Sequence, residues 1–118
     1  MVFEQLKTIL KPYAERLTLT ADAADAYSID GPYSEKWKKQ LFFASTVIKK
    51  SYVSFYLMPV YMYPELLNGI SPELKKRMQG KSCFNFTSID PSHIDELKKL
   101  TKAGFDEFKT WPTKFAAP

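Results

Sequence analysis

An α+β domain is predicted: a twisted, mainly antiparallel sheet of about five strands. An N-terminal and a C-terminal helix pack on one of its faces, and a short helix joins strands 4 and 5. Three observations predict this arrangement. Between Gln40 and Pro64 the only charged residues are Lys49 and Lys50, at the point where a hairpin would turn. Each end of the chain carries a stripe of apolar residues at helical spacing. The order helix, strands, short helix, strand, helix suits a sheet covered by helices on one side.

The first stripe lies in residues 2–17, where Phe3, Leu6, Ile9, Leu10, Tyr13 and Leu17 recur at steps of three and four. Glu4, Lys7, Lys11 and Glu15 fall on the opposite side. Pro12 interrupts the run without shifting its period, which predicts a kinked helix or a break followed by one more turn. From Leu17 to Asp22 apolar and polar residues alternate as in a half-buried strand. Residues 23–25 form a turn, Tyr27 and Ile29 mark a second strand, and Asp30-Gly31-Pro32 breaks it. Residues 33–38 read as loop.

Gln40 to Ile48 and Ser51 to Met58 form the central hairpin, turning at Lys49-Lys50. Strict alternation places Leu41, Phe43 and Val47 on one face, and Phe42, Ala44, Thr46 and Ile48 on the other. In the partner strand Val53, Phe55 and Leu57 share one face, and Tyr52, Ser54, Tyr56 and Met58 the reverse. Pro59 ends that strand or places it at an edge. Ser71-Pro72-Glu73 starts a short basic helix that Gly80 would stop. Ser82 to Thr87 is the fifth strand. Asp90-Pro91 opens the last helix, whose stripe is Ile94, Leu97, Leu100, Thr101, Gly104, Phe105 and Phe108. One domain over 1–110 and an irregular tail over 111–118 complete the chain.

Composition bounds the function. The 118 residues suit one domain with its own core. One cysteine excludes an intramolecular disulfide framework and suits a reducing compartment. No apolar run approaches the roughly 20 residues that span a bilayer. With no secretory leader at the N-terminus either, a cytoplasmic location and no membrane partner are expected. The net charge of +4 is mild and its lysines are spread over every segment, which argues against a nucleic-acid partner.

Cys83 and His93, the only thiol and the only imidazole, stand ten residues apart. Nothing in that spacing brings them together, and a buried strand cysteine is the simpler reading. Asp22, Asp25 and Asp30 fall within nine residues, but turn chemistry accounts for them without a metal. Lys75, Lys76, Arg77 and Lys81 surround the short helix with no phosphate-binding glycine loop, and read as a solvated face. No catalytic residue, metal ligand or cofactor is therefore assigned. Tyr52, Ser54, Tyr56, Tyr61 and Tyr63 remain as the candidate site. Tyrosine joins a large apolar body to a polar tip and suits the wall of a pocket or an interface. The competing account is a second small core under a loop.

Four blocks in order resemble a known group. They are Tyr52 to Pro59, Gly69 to Lys75, Gly80 to Phe86 and Leu100 to Phe105. Together they look like the YdhG-like domains of unknown function, small bacterial α+β proteins, over about residues 38–108. Some members of that wider group are labelled frataxin-like iron chaperones, which implies iron on clustered surface carboxylates. The first helix here departs from that pattern, because Glu4 and Glu15 are interleaved with Lys7 and Lys11. The expectation is an uncharacterised, non-enzymatic module that binds a small molecule or a protein through an aromatic sheet face. That face can also form a homodimer. An iron chaperone is the alternative, and a Cys83-dependent enzyme the third.

Overall fold

The computed structural model describes residues 2–34, 39–80 and 82–108. Helix α1 (Val2–Ala14) buries Phe3, Leu6, Ile9 and Leu10, the apolar stripe read from the sequence. The helix passes through Pro12, whose ring is on the exposed side. It closes with one more turn, in which the Arg16 and Leu17 amides donate to the Tyr13 carbonyl.

Five strands follow: β1 (Thr18–Asp22), β2 (Ala26–Ser34), β3 (Lys39–Ile48), β4 (Val53–Leu57) and β5 (Cys83–Phe86). They lie in the sheet in chain order, with every neighbouring pair antiparallel. After β4 the chain forms α2 (Met58–Met62), a 3-10 helix over Pro64–Gly69 and α3 (Pro72–Lys75). After β5 it forms α4 (Pro91–Phe108). The predicted α+β class and strand number are those observed, with the short helix between β4 and β5. The expected tail, 111–118, lies outside the described residues.

Register identifies the two faces. Tyr27, Thr46, Phe55 and Phe84 form one row across four strands, and Ile29, Ala44 and Leu57 form the next. All seven are buried, and together with Phe3, Leu6, Leu97 and Leu100 the six apolar ones belong to a single core. Lys7 of α1 lies over the Tyr27 ring and His93 of α4 packs on Phe86, so both long helices cover this face.

Simple alternation would put Phe43 on the opposite face, and there the sequence reading fails. Ile29 pairs with Ala44 but Asp30 pairs with Phe42, which makes Phe43 an extra residue in β3. Such a bulge breaks alternation and re-aims a side chain. The Phe43 ring is fully buried, with centroids 5.7 Å from Tyr13 of α1 and 6.1 Å from Phe105 of α4. Tyr13 and Phe105 are themselves 5.0 Å apart. Three rings thus join both helices to the middle of the sheet. Each such ring pair contributes about 0.5–1.5 kcal/mol beyond the burial itself.

Three other expectations are corrected. Asp30-Gly31-Pro32 does not end β2; the strand continues to Ser34, and Tyr33 pairs with Gln40. A second irregularity between Asp30 and Tyr33 absorbs the glycine and the proline. Residues 33 and 34 are therefore strand, and 35–38 lie outside the described residues. Met58, expected in the strand, instead starts α2, and Pro59 and Pro64 lie in the first turns of α2 and the 3-10 helix, where no amide donor is needed. Gly80 does not stop α3, which ends at Lys75. Instead Arg77 to Gln79 runs beside β5: Asn85 N–H donates to the Arg77 carbonyl and Gln79 N–H to the Cys83 carbonyl. Gly80, at φ +82°, turns the chain back into the strand.

The helix α2 reaches α4 at one close point. A Cβ added to Gly104 would lie 2.8 Å from Cβ of Pro59 and 3.0 Å from its Cγ. Alanine would raise intrinsic helix propensity by about 1 kcal/mol, but overpacking against a rigid ring costs about 1–3 kcal/mol. Gly104→Ala is expected to lower stability by a net of up to about 2 kcal/mol in thermal or urea unfolding. A raised midpoint would contradict this contact.

Candidate binding site

The face away from the long helices carries Ser28, Ser45, Tyr56 and Cys83 in one row, and Ala26, Val47, Ser54 and Asn85 in the next. Its centre is a polar network. Ser54 Oγ donates to Asn85 Oδ1 at 2.7 Å, and Cys83 Sγ donates to the same oxygen at 3.3 Å. Asn85 Nδ2 donates to Gln79 Oε1 at 3.1 Å. Ser54 is buried although no helix is needed to cover it, because Val47 and Asn85 shade it from either side. Tyr56 is half-buried beside this network, with Lys49 Nζ 5.9 Å above its ring.

Only two members of the candidate set share that face in register, Ser54 and Tyr56. Tyr52 lies in the β3–β4 turn, where its carbonyl accepts from the Lys49 amide, and it is exposed. Tyr61 is on α2, beyond the other end of β4, and β4 alone spans about 17 Å. Tyr63 caps α2 and packs half-buried against the core. The tyrosines therefore do not converge.

Cys83 and His93 are also separated. Cys83 shares the network face, whereas His93 is buried on α4 against Phe86, across the sheet. Asp22 is paired with Lys7 at 3.1 Å. Among the described residues no three His, Cys, Asp or Glu side chains lie together as metal ligands. None of the helices formed by the described residues is long and apolar enough to cross a membrane. The basic cluster around α3 divides: Lys76 and Arg77 line a shallow hollow of about 330 Å³ opposite Glu73 and Asp90, while Lys75 faces elsewhere. Lys81 lies outside the described residues.

Lys75 faces a cleft of about 600 Å³, inside the range of small-molecule pockets, roughly 300–1,000 Å³. Val60 and Tyr61 of α2, Pro64 and Leu67 of the 3-10 helix, and Met78 and Gly80 of the turn before β5 complete its lining. Each wall has a local cause. Pro59 and Pro64 start the two helical turns that fold back from the end of β4. Met78 is held opposite by its bridge to Phe84. Lys75 is fixed through the N-cap of its helix: Ser71 Oγ accepts from the Leu74 amide at 3.2 Å. Ser71 in turn donates twice to Glu96 of α4, from its amide at 2.7 Å and its hydroxyl at 2.6 Å.

Of these lining residues only Tyr61 belonged to the sequence-derived set. Lys75 reads from the sequence as part of a solvated helix face, and Val60, Leu67 and Met78 carry no assignment there. The available signal was the pair Pro59 and Pro64, each suited to a helix start. No family model, curated protein or solved structure matches the chain.

Glu96 carries a pH signature. Desolvation pushes its carboxyl up, but the two Ser71 hydrogen bonds, with His93 and Lys99 nearby, outweigh that and hold it below the ordinary range. A depressed carboxylate stabilises the fold above its unfolded pKa, and this stability is lost as pH falls through the folded value. Between about pH 6 and about pH 3 the wild-type protein should lose more stability than Glu96→Gln in urea unfolding. Equal losses would show that the tether contributes nothing.

Proposed function

We propose that the protein is a non-enzymatic binding module for a small, largely apolar molecule, and that its site is the cleft beyond β4. The observation that carries this reading is the cleft lining, four apolar side chains and a tyrosine converging with one ammonium group. Pockets of that make-up, mostly apolar with few convergent polar groups, are the usual form of small-molecule sites. The separation of Cys83 from His93 across the sheet supports a non-enzymatic role. The blocks that resemble the YdhG-like domains include Lys75 and Gly80 on this cleft, and they hold no catalytic signature.

A second reading keeps the sheet face as a surface for a protein partner or a second copy of the chain. Half-buried Tyr56 and Val47 beside the Ser54–Asn85 network favour it. Methyl and aromatic NMR titration with two apolar probes, 1-octanol and indole, separates the readings. Shifts concentrated on Val60, Leu67 and Met78 are expected, with affinity lowered about threefold or more in Tyr61→Ala. Shifts confined to Val47 and Tyr56, or no shifts at all, would contradict the cleft.

A further inference from the structure

Resting on the cleft reading, we infer that the cleft selects anionic amphiphiles, with aliphatic carboxylates as the simplest class. The inference comes from the distribution of charge. Among the described residues Lys75 is the only charged one on the lining. The acidic residue nearest in sequence, Glu73, lines the separate hollow with Lys76 and Arg77. Among the described residues no carboxylate lies within ion-pairing distance of Lys75, whereas Lys7 and Lys102 are both paired.

Lys75 is itself exposed and Val60 is buried, so the charge stands at the mouth and the apolar wall lies deeper. A ligand with one anionic end and an aliphatic body matches both in a single orientation. Tyr61, half exposed beside the cleft, adds a hydroxyl that can donate to the same anionic end. A neutral chain of equal length would fill the apolar wall and leave the ammonium to water. The cleft therefore favours an anionic head by electrostatics and an apolar body by the make-up of its walls.

Octanoate, below its aggregation concentration, and 1-octanol share a chain length and differ in the head. At low ionic strength octanoate should bind about five- to tenfold more tightly, read from Leu67 and Met78 methyl shifts. Added salt should erase that advantage. Lys75→Met should remove it by weakening octanoate binding, and Lys75→Arg should keep it. Equal affinities for the two probes, or a preference that survives Lys75→Met, would overturn the anionic selectivity and leave the cleft reading standing. Binding of neither probe would overturn both.

Discussion

The displacement of Phe43 by one residue of register is the constraint on which the rest of this molecule depends. A ten-residue β3 with unbroken alternation would direct Phe43 away from the helices. Its ring would then be exposed, at a loss of about 1.5–3 kcal/mol of burial. The bulge turns it inward, where it meets Tyr13 and Phe105. Helices that are contiguous with neither β3 nor each other are thereby fixed to one point.

That choice decides the character of both faces. The covered face gathers Phe43, Phe55, Phe84 and Phe86 with the stripes of α1 and α4. The other face is left with serines, Asn85, Cys83, Val47 and Tyr56, side chains small or polar enough to satisfy one another. A central hairpin whose charges stand only at its ends therefore does not need helices on both sides. Its second face is hydroxyl- and amide-rich, with Lys49 over Tyr56 at one end, and only in small part apolar. The outer edge of β5 is likewise paired, by Arg77 to Gln79, which also delivers Met78 to the cleft.

Much of the fold was legible in the sequence. Phe3, Leu6, Ile9 and Leu10 announce α1 by period, and Ser71-Pro72-Glu73 announces α3 by its cap. What was illegible has physical reasons. Bulges at Phe43 and around Gly31-Pro32 are decided by long-range packing against helices, which local alternation does not encode. The helical turns at 58–69 are too short for a period to declare itself, and only Pro59 and Pro64 mark them. The cleft inherits that difficulty, since its walls come from those turns, from α3 and from the strand-like Arg77–Gln79. The sequence suggests a shared surface for four tyrosines because it places Tyr52 and Tyr56 on one strand face and Tyr61 and Tyr63 just beyond the strand's end. The chain leaves the strand at Tyr52 and at Leu57, and the set disperses.

Cleft and core are connected through α4. One turn of that helix accepts Pro59 at Gly104 and carries Phe105 to Phe43, and an earlier turn holds Ser71 through Glu96. The position of the proposed ligand site is thus a consequence of where the aromatic triad seats α4 on the sheet. The most direct test is a side-chain NOE spectrum of the folded protein with labelled phenylalanine and tyrosine rings. Cross-peaks from the Phe43 ring to the rings of Tyr13 and Phe105 are predicted. Cross-peaks from Phe43 to the Ser45 and Val47 side chains, with none to either helix, would contradict the bulge and the account built on it.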